Sequence, residues 1–173
     1  MKNIVLIGFM GTGKTVVGRR LARRLKREFI DTDAEIEKLM GKTVAQIFAR
    51  DGVVRFRSEE ELLVKKLAKR EDLVIATGGG MVLNTENLLL LKENGILVAL
   101  TASPEIIYDR VRGNKNRPLL MHGDMMEKIR ELLQERENAY KAAEITVDTG
   151  NSSIVEIVEQ ITRCLLERNY ITY

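Results

Sequence analysis

The chain has 173 residues, of which 45% are hydrophobic and 31% are charged, so it is large enough for one globular domain with its own core. The net charge of +3 is too small to indicate nucleic-acid binding, and no apolar run is long enough to span a membrane. Cys164 has no partner for an internal disulfide, one histidine leaves little for a zinc site, and no signal peptide is recognisable. We therefore expect a cytoplasmic protein.

Segments typical of strands and helices alternate along the chain, which predicts a parallel sheet covered by helices on both faces. Predicted strands cover 3–8, 27–31, 72–77, 96–102 and 144–148. Predicted helices cover 14–27, 33–40, 43–50, 54–69, 85–94 and 125–142, with one more opened by Pro104 and a last one from about 152. Residues 113–124 have no periodicity and predict a loop that is long for a compact domain.

The segment GFMGTGKT at 8–15 carries the pattern G-x-x-x-x-G-K-[ST]. Its glycines let backbone N–H groups surround phosphate oxygens, while Lys14 supplies a cation and Thr15 a hydroxyl for magnesium. The helix that follows adds its positive N-terminal end. Because a buried strand precedes the loop and a helix follows it, we predict that the chain binds ATP or GTP.

Two aspartates, Asp31 and Asp33, are candidates for the acidic residue that helps to hold magnesium. Enzymes with this loop often have an acidic residue at the end of a neighbouring strand, where it helps to hold magnesium. Here the strand at 72–77 runs into glycines at 78–80, whereas Asp31 ends the strand at 27–31. Ligands bind beyond the carboxyl ends of parallel strands, so we expect Asp31 to take the magnesium role. Asp33 would either cap the next helix or act in the chemistry.

Two arginines fall on the apolar faces of predicted helices. Arg57 and Glu60 lie within the apolar stripe of the helix at 54–69, and Arg136 lies within that of the helix at 125–142. A guanidinium group is rarely buried without a partner. The partner is either a protein carboxylate, since Glu60 is one turn from Arg57, or the anionic group of a small substrate. These residues leave both readings open.

The predicted loop contains Arg117 and the lone histidine, His122. A mobile loop carrying an arginine can close over ATP and stabilise charge on the transferring phosphoryl group. The alternative is an ordinary solvated charge on a polar loop. No neighbour in the sequence would orient His122 as a base, so we assign it no role.

Together these motifs resemble those of the shikimate kinases. The matching segments occur in the family's order over nearly the whole chain: GFMGTGKTVVG, FIDTDAEIE, FRSEE, ATGGG, NRPLL and LLQERENAY. The resemblance implies an α/β fold with three αβα layers, in which a five-stranded parallel sheet has the order 2-3-1-4-5. It also implies that a monomer transfers the γ-phosphoryl group of ATP, with Mg²⁺, to the 3-hydroxyl of shikimate in the route to chorismate.

The resemblance further implies roles for the matching residues. Nucleotide-binding residues would be Gly11, Thr12, Gly13, Lys14, Thr15 and Val16, with Arg110 against adenine and Arg117 in the lid. Magnesium would be held by Thr15 and Asp31. Substrate-binding residues would be Asp33, Arg57, Glu60, Gly78, Gly79, Gly80 and Arg136, with the two arginines on the substrate carboxylate. Lys14, Asp33 and Arg117 would be catalytic, with Asp33 as the candidate base. The substrate-binding segment would cover about 32–60 and the lid about 112–124 of a single kinase domain over 1–173.

Two other functions remain compatible with the motifs. The first is another small-molecule kinase of the same fold, such as a gluconate or nucleotide kinase. The second is a module that binds a nucleotide without catalysis and contacts a protein partner. The inward arginines favour an anionic acceptor over a neutral sugar, and the presence of Lys14, Asp33 and Arg117 together argues against a module without catalysis.

Overall fold

The computed structural model describes residues 1–114, 118–120 and 123–172. Its sheet has five parallel strands in the order β2-β3-β1-β4-β5, which confirms the predicted order. The strands are β1 Asn3–Ile7, β2 Glu28–Asp31, β3 Leu73–Ala76, β4 Gly95–Thr101 and β5 Ile145–Asp148. Each lies within two residues of its predicted bounds.

The central strands are continuous apolar runs because both of their faces are covered. Every residue of β1 and β3 is buried, as is β4 up to Leu100. Val5 pairs with Ile75 on one side and with Leu97 on the other. The edge strand β5 instead alternates buried and exposed residues, as expected where one face meets solvent.

Helices cover both faces of the sheet and complete the predicted three layers. In the described residues they are α1 Lys14–Leu25, α2 Thr32–Met40, α3 Val44–Arg50, α4 Val53–Leu67, α5 Thr85–Glu93, α6 Pro104–Val111, α7 Met125–Tyr140 and α8 Ile154–Glu167. Short 3₁₀ turns occupy Met81–Leu83 and Pro118–Leu120, the second inside the predicted loop. No helix of the described segments is both long enough and apolar enough to cross a bilayer.

The pleat of the sheet divides the apolar side chains into two cores. Val5 and Ile7 point to the layer that contains α4, α5, α6 and α7. Ile4 and Leu6 point to the opposite layer, which contains α1 and α8. A smaller cluster of Ile36, Ile47 and Phe56 joins α2 and α3 to α4. This last cluster packs the helices of the predicted substrate-binding segment against one another.

Candidate active site

The loop after β1 has the shape that phosphate binding requires. Gly8, Gly11 and Gly13 have φ angles of 144°, 77° and 96°, which residues with a side chain rarely adopt. Gly13 precedes α1 without a side-chain cap, and the first turn of α1 has no acidic residue. The positive end of α1 is therefore available to an anion.

Lys14 lies in this loop with a nearly buried side chain. Its Nζ donates to the carbonyl oxygens of Gly8 at 2.6 Å and Phe9 at 2.9 Å. A cavity of about 240 Å³ adjoins the loop, and its lining includes Gly11, Gly13, Lys14, Thr15 and Val16. Thr12, the remaining predicted member, donates from its buried hydroxyl to the Phe9 carbonyl at 2.7 Å and so stabilises the loop itself.

Asp31 joins the end of β2 to this phosphate cavity. Its Oδ2 accepts a hydrogen bond from the Thr15 hydroxyl at 2.6 Å, and its Oδ1 accepts from the Ala34 N–H at 3.2 Å. Asp31 therefore caps α2, so the capping alternative that the sequence left open for Asp33 is wrong. A hydroxyl and a carboxylate side by side at the cavity are the hard oxygen ligands that Mg²⁺ prefers, so these residues fit the predicted ion.

Asp33 lies in the first turn of α2 and lines two cavities. One is the phosphate cavity, and the other is a cavity of about 230 Å³ beside α3, α4 and α7. Met10, Gly78 and Gly79 also line both cavities. An acid at the junction of two adjacent cavities can act on groups bound in either of them.

The second cavity combines an apolar wall with charged groups. Phe48 and Phe56 form the wall, with ring centroids 5.1 Å apart. The complete lining is Met10, Asp33, Glu37, Val44, Phe48, Phe56, Arg57, Glu60, Gly78, Gly79, Gly80, Asn114, Leu119 and Arg136. A small molecule with an apolar ring face and an acidic group fits such a lining.

Arg57 has a protein partner, as one of the two readings of the sequence allowed. Its Nη1 lies 2.6 Å from Glu60 Oε2, and the Glu60 side chain is completely buried while Arg57 is partly exposed. Burial raises the pKa of Glu60 from 4.5 to about 7, with Arg57 acting in the opposite direction and Asp33 adding to the increase. The remaining face of the Arg57 guanidinium lines the second cavity.

Arg136 is the more deeply buried of the two arginines, at 2% exposure. Its guanidinium lies over the Phe9 ring, with Cζ 5.4 Å from the centroid. Its Nε and Nη1 donate to no atom of the described residues. A buried cation with unused donors that lines a cavity is arranged to receive an anion.

The three glycines make room for these charged side chains. A Cβ atom on Gly78 would lie 2.6 Å from Asp33 Oδ1, and one on Gly79 would lie 3.0 Å from Arg136 Nη1. A Cβ atom on Gly80 would lie 2.9 Å from Arg57 Cζ. The space that a side chain on any of these glycines would need is therefore already occupied by charged groups of the site.

Arg110 connects α6 to the phosphate loop and to the segment after β5. Its Nη1 donates to the Gly11 carbonyl at 3.0 Å, and its Nη2 donates to the Thr149 carbonyl at 2.7 Å. Thr149 is buried, and its hydroxyl lies 2.8 Å from the Thr12 carbonyl. Arg110 is thus at the rim of the phosphate loop.

Some residues of the site were missed from the sequence, and some predictions cannot be checked. Thr32, Tyr140 and Thr149 each make hydrogen bonds at the site, although the sequence assigned no role to their hydroxyl groups. The only available signals were the place of Thr32 between two aspartates and that of Tyr140 one turn after Arg136. Arg117 and His122 lie outside the described residues.

Comparison with known proteins places the chain in a family. A model described as "SKI: Shikimate kinase" matches residues 10–166. A shikimate kinase of Pelotomaculum thermopropionicum is 71% identical over 171 residues, which are 99% of each chain. A solved shikimate kinase from Acinetobacter baumannii, in complex with shikimate, is 40% identical with a TM-score of 0.94 and covers 97% of this chain and 94% of that one.

A gluconokinase from Sinorhizobium meliloti matches less well. It is 18% identical with a TM-score of 0.61, over 99% of this chain and 98% of that one, and so it shares only the fold. The phosphate loop, Asp33, the glycine segment and the two arginines lie together at one edge of the sheet, and the family match extends over the segments that carry them. The chain belongs to the shikimate kinase family.

Proposed function

We propose that the chain transfers the γ-phosphoryl group of ATP to the 3-hydroxyl of shikimate, with Mg²⁺. The observation that carries this proposal is the pair of adjacent cavities, one built by a phosphate loop and the other lined by Arg57 and Arg136. Because Asp33 lines both cavities, a nucleotide in one and a hydroxylated acid in the other would meet beside its carboxylate.

The substrate carboxylate would bind between the two arginines. The Nε and Nη1 donors of Arg136 have no partner among the described residues, so each can donate to an oxygen of the anion. Arg57 would add a second cation, while Glu60 holds its other edge in place. The ring would then lie against Phe48 and Phe56. This orientation would leave the opposite edge of the ring, which bears hydroxyls, toward Asp33.

Asp33 would act on the acceptor hydroxyl. Its carboxylate would accept the hydroxyl's hydrogen bond, orient the oxygen toward the γ-phosphorus and take the proton as transfer proceeds. Its place at the start of α2, tied to β2 through Asp31, keeps it between the two cavities. Catalysis of this kind depends mainly on positioning and charge stabilisation.

The nucleotide would bind across the phosphate loop. N–H groups of the loop and the first turn of α1 would surround the phosphates, and Lys14 would exchange its carbonyl partners for phosphate oxygens. Thr15 and Asp31 would hold Mg²⁺, which neutralises charge on the phosphate oxygens when bound. Arg110 would lie against adenine, and Arg117 would be the lid arginine.

We also propose that residues 1–173 form a single domain that acts as a cytoplasmic monomer. One sheet and its helices enclose two cores, one on each face of the sheet, and this supports a single domain. A cytoplasmic location is proposed because an ATP-dependent biosynthetic enzyme needs a compartment that supplies ATP. Sedimentation of the purified protein at assay concentration tests the monomer.

A coupled assay of ADP release tests the activity. Shikimate, gluconate and a nucleoside monophosphate are each offered with ATP and Mg²⁺, and the product is identified by mass and phosphorus NMR. We expect ADP release only with shikimate and none without added Mg²⁺. The proposal would be refuted if ADP were released with gluconate or the nucleoside monophosphate, or if no acceptor, including shikimate, gave ADP release.

A further inference from the structure

The glycine segment at 78–80 requires support from other residues. Glycine has more conformational freedom than any other residue, and this segment has no side chains to pack. Two buried hydroxyl groups contact it from different helices. Thr32 Oγ1 in α2 accepts a hydrogen bond from the Gly78 N–H at 2.9 Å, and the Tyr140 OH in α7 donates to the Gly79 carbonyl at 2.7 Å.

Thr32 ties the segment to the acid of the site. It is completely buried and lies between Asp31, which caps α2, and Asp33, which lines both cavities. The hydrogen bond fixes Gly78 against the same helical turn that carries Asp33. In this position the Asp33 carboxylate lies so close to Gly78 that a Cβ atom on residue 78 would overlap it.

Tyr140 ties the segment to the buried arginine. It is 9% exposed and lies one turn after Arg136 on α7. Burial raises the pKa of Tyr140, so its hydroxyl stays a donor across the neutral range. The described peptide bonds are all trans, and a trans peptide has its C=O and N–H on opposite edges. Holding the Gly79 carbonyl therefore also sets the direction of the Gly80 N–H.

We propose that Thr32 and Tyr140 are positioning residues that hold the glycine segment so that it can receive the substrate. Neither side chain lines the two cavities, so each acts on the site through the groups that it contacts. These are the backbone of residues 78–80 for both and, for Tyr140, also the Arg136 guanidinium. The proposal rests on the proposed function, because it concerns the site for shikimate. It predicts that removal of either hydroxyl impairs use of shikimate without loss of the fold.

The test removes each hydroxyl while keeping the shape of the side chain. For Tyr140→Phe we expect the shikimate KM to rise about tenfold, as for one lost buried hydrogen bond, with kcat and the ATP KM nearly unchanged. For Thr32→Val we expect a lower kcat as well, because Asp33 moves with the same turn. Thr32→Ser, which keeps the hydroxyl, should restore wild-type kinetics.

Matched controls separate positioning from stability. Tyr170→Phe alters a tyrosine packed on the opposite core, and Thr162→Val removes a buried hydroxyl from α8. Both should leave the shikimate KM unchanged. Thermal unfolding is recorded for every variant, and kinetics are measured where each remains folded. If Thr32→Val does not fold, Tyr140→Phe decides the test.

A shikimate KM within about twofold of wild type in Tyr140→Phe would overturn the inference. So would equal losses in Tyr140→Phe and Tyr170→Phe. These outcomes differ from failure of the proposed function, which would appear as a wild-type protein that does not phosphorylate shikimate.

Discussion

Arg57 and Glu60 lie one turn apart on α4 with 2.6 Å between Nη1 and Oε2, yet only the acid is withdrawn from solvent. The Glu60 side chain is 1% exposed and that of Arg57 is 31% exposed. Burial therefore raises the pKa of the Glu60 carboxyl group. The ion pair stabilises the local structure, and it also fixes the position of the Arg57 guanidinium, which lines the substrate cavity.

This asymmetry predicts how Glu60 affects stability as pH changes. Its pKa is about 7 in the folded protein against 4.5 ordinarily, so the folded state retains a proton that the unfolded state releases between these values. The contribution is fully present below pH 4.5 and is lost as pH rises through about 7. It is on the order of 3 kcal/mol, since one pKa unit corresponds to about 1.4 kcal/mol.

Chemical denaturation across that pH range measures the effect. Other carboxyl groups also titrate, so the quantity of interest is the difference between wild type and Glu60→Gln. We expect the free energy of unfolding to fall more steeply with pH in the wild type. Parallel curves for the two proteins would contradict the pKa assigned to Glu60.

Arg136 is predicted to oppose folding while serving binding. Its guanidinium is buried with unused donors, so Arg136→Met should leave the unliganded protein equally stable or more stable. The same change should weaken shikimate binding about 100-fold or more, because two charge-assisted hydrogen bonds are lost. Calorimetric titration and thermal unfolding give the two quantities. Arg130→Met, which removes a surface ion pair with Glu105, is the control and should change neither.

Gly80→Ala tests whether glycine is needed for the position of Arg57. The new methyl group would overlap the guanidinium, which is partly exposed and can swing toward solvent. We expect a rise of about tenfold in the shikimate KM with little loss of stability. Gly41→Ala provides the contrast, because its φ of 63° strains alanine although no atom lies within 4 Å. That variant should lose stability and keep its KM, and the reverse pattern would disprove the steric explanation.

Asp31→Asn separates helix capping from metal binding. Asparagine caps a helix about as well as aspartate, so the variant should unfold within about 0.5 kcal/mol of wild type. It lacks the negative charge beside Thr15, and the Mg²⁺ concentration for half-maximal activity should rise about tenfold or more. A magnesium titration at saturating ATP measures this shift. An unchanged titration would remove Asp31 from the metal site.

Asp33→Asn tests the acid between the two cavities. The change keeps the shape of the side chain and removes its charge, so ATP should still bind while turnover falls at least about 100-fold. Single-turnover kinetics and nucleotide binding distinguish the two effects. Wild-type turnover would exclude Asp33 as base and as orienting group.

Much of the fold could be predicted because its signals are local. The glycine pattern before Lys14, the apolar run of β1 and the alternation of strands and helices each depend on neighbours in sequence. The cap of α2 shows the limit of such signals. Asp31 and Asp33 are equally good caps by residue type, and only the bond from the Ala34 N–H to Asp31 Oδ1 shows which one caps the helix.

The site was predicted where helical periodicity placed a charge on an apolar face, as for Arg57 and Arg136. Contacts between distant segments could not be predicted in this way. Thr149 meets Thr12 across 137 residues and Tyr140 meets Gly79 across 61, and no spacing rule relates such pairs. Hydroxyl groups also serve equally well in cores, caps and sites, so residue type does not reveal their role.

The shared lining of the two cavities has a consequence for inhibitor design. Met10, Asp33, Gly78 and Gly79 border both spaces, so a single molecule can reach from one into the other past the same four residues. A compound that links a cyclic carboxylate to an oligophosphate through a short tether would occupy both at once. Such a bisubstrate ligand should bind far more tightly than either half, because only one molecule loses its freedom of movement.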